Sequence, residues 1–161
     1  MGNHEVKRKI WIASDHAGFA LKAAIQELLP HYDWQDLGPI NGTDRVDYPD
    51  FAKKLSSEIS QKNTEKESLG ILICGSGIGM SIAANKIAGI RAALVENPVS
   101  ARLSREHNDA NVLCLGSRFI APEYGAEIAK VWLEASFSGD SRHCLRIKKI
   151  SAIENQQDMK S

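Results

Sequence analysis

Apolar residues recur along this chain in two alternating rhythms. Lys9 to Ser14 (KIWIAS) is a short β-favouring run that ends in an Asp15 to Gly18 turn, after which Leu21, Ile25, Leu28 and Leu29 return at helical spacing. A second strand is expected near Trp34 to Leu37, closed by the turn pairs Gly38-Pro39 and Asn41-Gly42. Phe51, Leu55 and Ile59 mark a helix after Pro49, and Gln61 to Ser68 forms a polar loop. Leu69 to Cys74 (LGILIC) is apolar throughout, as a strand buried on both faces requires. Gly75 to Gly79 interrupts it before a helix over Met80 to Ile87. Arg91 to Val95 and Val112 to Leu115 give a fourth and a fifth strand, separated by a helix over Val99 to His107. A long amphipathic helix covers Pro122 to Ser136, and a last one runs from about Ser141 to Glu154 into a polar tail, Asn155 to Ser161.

Repeated strand–helix alternation predicts a parallel sheet with helices on both faces, a three-layer α/β/α Rossmann-like sandwich of five strands with a C-terminal helix. The pattern holds no internal repeat, linker or composition break, so residues 1–161 are expected to form a single domain with a core over about 9–154. In such folds ligands sit at the carboxyl ends of the strands, near a switch in strand order. That rule selects four loops: Asp15-His16, Asp47-Tyr48, Cys74 to Gly79, and Gly116 to Arg118.

Composition narrows the partners. Twenty basic and twenty acidic residues cancel, which removes any general electrostatic drive toward nucleic acid or an anionic membrane. No apolar run approaches the roughly 20 residues that a bilayer span needs. Met1 to Lys9 is polar and charged, without the apolar core of a secretory signal. The three cysteines, at 74, 114 and 144, form no C-x-x-C pair, so neither a zinc site nor a disulfide framework is indicated. A reducing cytoplasm is the expected setting.

The chemistry concentrates in Cys74-Gly75-Ser76-Gly77-Ile78-Gly79-Met80-Ser81. Alternate glycines let the backbone close around a ligand and aim amide groups at it, and the following helix adds its positive end. The loop suits a phosphate or a developing enediolate oxygen equally well. It is not a P-loop, which needs a lysine, nor a dinucleotide fingerprint, which needs a glycine where Met80 stands. A tight turn that serves packing alone remains the competing account. Cys74, at the strand's end, is placed as a reactive thiol, whereas Cys114, inside an apolar strand, fits a buried structural role. His107-Asn108-Asp109 closes the fourth helix, where a proton-exchanging histidine and a simple capping segment are both open. Asp15 and His16 lie in a ligand-facing loop. Arg142 and Arg146, four apart on one helix face around His143, match a phosphate dianion or a solvated surface.

Taken together, Asp15-His16-Ala17-Gly18, Asp47-Tyr48-Pro49, Ile73 to Gly79, Ala83-Ala84-Asn85-Lys86, Gly89-Ile90-Arg91-Ala92, His107 to Asn111 and Gly116-Ser117-Arg118 resemble, in order and spacing, the RpiB/LacAB sugar-phosphate isomerase family from about residue 9 to 154. The resemblance implies an aldose–ketose isomerase without metal or other cofactor. It implies interconversion of ribose 5-phosphate and ribulose 5-phosphate in the non-oxidative pentose phosphate pathway. It further implies a homodimer or dimer of dimers with active sites at the subunit interface. In that reading Cys74 is the base at C2 and C1, His107 protonates the ring oxygen, and Asp15 handles a sugar hydroxyl. The amides of Gly75, Gly77, Ile78 and Gly79, with the Ser76 hydroxyl, hold the enediolate. Asn108 binds sugar hydroxyls, and His16, Arg142 and Arg146 grip the phosphate. Beyond the resemblance, Arg142 and Arg146 are expected to reach the pocket of the partner subunit.

This chain departs from the family pattern in two places. Ser76 stands where many relatives carry threonine, and Ser138 to Ser141 lacks a double glycine common before the arginines. One branch of the family lacks the cysteine, and Cys74 places this chain in the other. A hexose-6-phosphate isomerase, acting on allose or galactose 6-phosphate, is the rival within the enzymes. Galactose-specific relatives divide their catalytic groups between two different subunits, whereas here Cys74, His107 and both arginines lie on one chain. A phosphosugar-binding module without catalysis is the rival outside them, and in it Cys74 and His107 would be idle.

Overall fold

The structure, a computed structural model, describes residues 9–62 and 68–158. Five strands form one parallel sheet: β1 (Lys9–Ser14), β2 (Asp33–Asp36), β3 (Leu69–Cys74), β4 (Ala92–Leu94) and β5 (Val112–Gly116). Their order is β2-β1-β3-β5-β4. Six helices alternate with and follow them: α1 (Phe19–Leu28), α2 (Tyr48–Lys62), α3 (Ile78–Ala84), α4 (Pro98–Asn108), α5 (Pro122–Glu134) and α6 (Ser141–Asp158). Among the described residues, no helix is long and apolar enough to cross a membrane.

Because side chains alternate across a strand, each central strand feeds two cores. Ile10, Ile12, Leu69, Ile71, Ile73, Leu113 and Leu115 point to one face, where Leu21 and Ile25 of α1, Ala101 of α4 and Ile128 and Trp132 of α5 cover them. Trp11, Ala13, Leu72, Cys74, Val112 and Cys114 point to the other, beneath Leu55 and Ile59 of α2 and Met80 and Ala84 of α3. The expected three-layer sandwich is present. Helix α2 rides close on the sheet because Gly70 has no side chain: a Cβ there would come within 2.6 Å of both Leu55 and Ile59.

The helix boundaries differ from the pattern-based ones in ways that local chemistry explains. Helix α3 starts at Ile78 rather than Met80, since Gly77 takes a left-handed conformation (φ 75°) that ends the turn and opens the helix at once. Helix α4 starts at Pro98, which suits a first helical position, and the Asn97 side chain accepts the Ser100 N–H at 2.8 Å. Helix α6 continues to Asp158, through part of the expected tail, because neither glycine nor proline interrupts that stretch. Most of the Gln61 to Ser68 loop, the end of the tail and all but the last residue of Met1 to Lys9 lie outside the described residues.

The sheet order decides where loops meet. From β1 the chain moves outward to β2 on one side, and β3 lies on the other, so the order reverses between β1 and β3. The register pairs Ser14 with Ile73 and Cys74 with Gly116. The loops that leave β1, β3 and β5 are therefore side by side.

Candidate active site

An open cleft of about 440 Å³ lies over these strand ends, lined by Asp15, Tyr48, Cys74, Gly75, Ser76, Ile78, Gly79, Ile82 and Arg118. All four loops selected from the sequence contribute to it. A slightly larger groove, about 480 Å³, lies elsewhere, between the chain from Asn85 to Ala93 and Ile150, Ile153 and Glu154 of α6. The first cleft holds Cys74, Asp15 and the glycine-rich loop, and size does not rank the two.

Cys74 is only 4% exposed, and its Sγ accepts the Gly77 N–H at 3.1 Å. The loop curls back over the thiol because Gly77 can take a positive φ. The Ile78 N–H donates to Ser76 Oγ at 3.3 Å, so this amide, like that of Gly77, has a partner within the loop. Ser76 is half-buried at the cleft wall. The Asp15 N–H donates to the Ile73 carbonyl at 3.0 Å, and one carboxylate oxygen of Asp15 accepts the Gly18 N–H at 2.9 Å. These two bonds hold the carboxylate beside the residue that follows Ile73. Gly79 completes the wall by close approach: a Cβ there would stand 2.6 Å from the Tyr48 ring.

Cys114 behaves differently. It is fully buried in β5, and burial, followed by neighbouring Cys74, pushes its thiol far above the ordinary thiol range. It is an apolar core residue, as its flanking sequence indicates.

His16 stands half-buried at the start of the same region, and its Nδ1 accepts the Val46 N–H at 3.3 Å. In the neutral ring that leaves Nε2 as the donor. Three lining residues, Tyr48, Ile82 and Arg118, have no role assigned from the sequence, and two of them, Tyr48 and Arg118, bring polar groups. The Arg118 N–H donates to the Gly75 carbonyl at 3.0 Å, and its guanidinium lies over Gly75, where a Cβ would come within 2.9 Å of Cζ. The available signal was position: an arginine just past the carboxyl end of a strand in a parallel sheet.

His107, Asn108, Arg142 and Arg146 do not line the cleft around Cys74 of their own chain. They form a second cluster where α4 ends and α6 begins. The His107 and His143 rings lie 4.4 Å apart, and His143 Nδ1 is 2.9 Å from Ser138 Oγ. Arg142 and Arg146 are exposed, while Asn108 borders the larger groove. Desolvation lowers the pKa of buried His143, and repulsion from His107, Arg142 and Arg146 adds to this against an opposing pull from Asp140. The cluster thus presents two exposed guanidinium groups, that of Arg142 with Nε 3.6 Å from an Asp140 carboxylate oxygen, beside a histidine pair, a combination able to hold a dianion and pass a proton. Among the described residues, no three His, Cys, Asp or Glu side chains gather as metal ligands.

A family model described as Ribose/Galactose Isomerase matches residues 10–150. The chain is 41% identical over 155 residues to the ribose-5-phosphate isomerase B of Escherichia coli, covering 94% of this chain and 99% of the relative. It superposes on the ribose-5-phosphate isomerase B of Clostridium thermocellum with a TM-score of 0.86 at 44% identity, covering 92% of this chain and 99% of the other. The same enzyme of Mycoplasma genitalium, solved with bound ribulose-5-phosphate, gives 0.84 at 46% identity, with coverage of 91% and 96%.

Proposed function

The chain belongs to the ribose/galactose isomerase family, and on that premise we propose that it interconverts ribose 5-phosphate and ribulose 5-phosphate with Cys74 as the base. The observation that carries this reading is the Gly77 N–H aimed at Cys74 Sγ, on a loop that also walls the cleft. An N–H donor on sulfur stabilises negative charge there.

The thiolate removes the proton from C2 of the open-chain aldose. The C2–H electron pair becomes the C1–C2 double bond, and negative charge moves to the carbonyl oxygen. The resulting thiol returns its proton to C1, while a hydroxyl proton shifts from O2 to O1. A carbon acid next to a carbonyl is weak, so the intermediate's charge needs donors where it forms. The Gly75 and Gly79 amides and the Ser76 hydroxyl serve that task, since the Gly77 and Ile78 amides are held within the loop by Cys74 and Ser76, and the Asp15 carboxylate serves a sugar hydroxyl. Arg118, over Gly75, adds a cation to the same cleft.

A phosphorylated aldopentose exists mainly as a closed ring, which must open before its C2 proton becomes acidic. His107 supplies the acid at the ring oxygen, Asn108 binds hydroxyls, and His16, Arg142 and Arg146 hold the phosphate. Since His107 and the arginines lie outside the Cys74 cleft of one chain, the complete site is assembled from two copies. Exposed apolar side chains on α3 (Ile78, Ile82), α4 (Val99, Leu103) and α6 (Leu145, Ile150, Ile153) support such an association.

The test is isomerase turnover of ribose, allose and galactose phosphates in the presence of EDTA, for the wild type and Cys74→Ala. Turnover of ribose 5-phosphate that survives EDTA and falls by about 10²- to 10⁴-fold in the variant is expected. Preference for a hexose phosphate would change the substrate and keep the chemistry. Binding without turnover in the wild type would refute catalysis.

A further inference from the structure

We propose that Asp109 is a positioning residue, which aims His107 and Asn108 through a clamp of two arginines. This rests on the reading of His107 as the ring-opening acid. Helix α4 ends at Asn108, and Asp109 follows with φ 46° and ψ 46°, the one non-glycine residue of positive φ among those described. A helix commonly makes this turn with glycine, which enters the left-handed region without strain. Here the position carries a side chain, and that side chain is held from both sides. One carboxylate oxygen accepts from Arg105 Nη1 at 3.0 Å, and the other from Arg91 Nη2 at 2.9 Å.

The same two guanidinium groups also hold the backbone around it. Arg91 Nε donates to the carbonyls of Asn108, at 3.0 Å, and Asp109, at 2.9 Å. Arg105 Nη1 donates to the Ala110 carbonyl at 2.7 Å. Arg105 is fully buried, with its guanidinium 5.7 Å from the Trp132 ring. Arg91 is itself located by Asn111, whose Oδ1 accepts the Arg91 backbone N–H at 2.8 Å, and whose Nδ2 donates to the Gly89 carbonyl at 2.8 Å. Ending a helix requires none of this. Two charged forks on one strained residue determine the path of the chain directly after His107 and Asn108, and strained backbone persists where its surroundings over-determine it. The carboxylate therefore acts on the reaction through the direction of these two side chains, and it touches no substrate itself.

The experiment separates ring chemistry from proton transfer. Ribulose 5-phosphate is acyclic, because its O5 carries the phosphate, so entry of solvent deuterium at its C1 reports enolisation alone. Net conversion of ribose 5-phosphate to ribulose 5-phosphate reports ring opening together with enolisation. Both rates are measured for the wild type, His107→Asn, Asp109→Asn and Arg91→Gln. Asparagine tolerates the left-handed conformation and keeps the shape of aspartate, and Arg91→Gln opens the clamp from its other jaw should the first variant fold poorly.

The expected result is a fall of about tenfold to a hundredfold in net conversion for both clamp variants, with deuterium entry within about twofold of wild type and the profile of His107→Asn reproduced. Equal loss of both rates in Asp109→Asn, while His107→Asn splits them, would overturn the positioning role. If His107→Asn itself lowered both rates equally, the ring-opening reading would fail, and the clamp would stand only if its variants matched that pattern.

Discussion

Two inactive variants of this chain should restore each other when mixed. In the first, Cys74→Ala removes the proposed base, a loss of about 10²- to 10⁴-fold. In the second, Arg142→Ala and Arg146→Ala together remove the proposed phosphate grip from α6. Each charge-assisted hydrogen bond is worth about 1.5–3 kcal/mol, so the pair removes about 3–6 kcal/mol, or roughly 10²- to 10⁴-fold in kcat/KM. The cleft at Cys74 is lined by Asp15, Tyr48, Arg118 and the glycine loop, and the two arginines stand apart from it on an exposed helix. If a symmetric interface brings the arginines of one copy to the cysteine of the other, each site draws one group from each chain. A freely exchanged equal mixture then holds one intact site in four, so about a quarter of the wild-type activity should return. The assay is ribose 5-phosphate turnover after co-refolding, at constant total protein, against the unmixed variants. Activity no greater than the average of the two parents would refute the shared site.

Two further outcomes follow from the geometry. Gly18→Ala places a Cβ 2.5 Å from the Ile73 carbonyl oxygen and 2.8 Å from its carbon, atoms of the strand that carries Cys74. Because the obstacle is backbone, the expected cost is about 2 kcal/mol, a fall of roughly 4–8 °C in the thermal midpoint for a chain of this size; an unchanged midpoint would sink the steric argument. For His143, the folded pKa lies below the ordinary 6.5, so the unfolded chain binds the proton more readily. Stability should be level above that value and decline as pH falls through and below it, and His143→Gln should flatten that decline in denaturant melts taken between pH 7 and 5. The groups that face this histidine (His107, Asp140, Arg142, Arg146 and Ser138) are retained in the variant.

Much of this protein was legible in local pattern. The alternation of short apolar runs with helical spacing is a property of neighbouring residues, and each of the five expected strands forms within a residue or so of its expected place. The same locality separates Cys74, followed by Gly75 to Gly79, from Cys114, enclosed by apolar neighbours in β5. What local pattern lacks is pairing. The order β2-β1-β3-β5-β4 arises from contacts between residues far apart in the chain, and it alone sets Asp15, Tyr48, Cys74 and Arg118 around one cleft. The distance of His107 and the arginines from that cleft, and the grip of Arg91 and Arg105 on a left-handed Asp109, have the same origin. Periodicity records which face of an element is buried, whereas the identity of the group across the contact depends on how whole elements pack, and only the folded chain decides that.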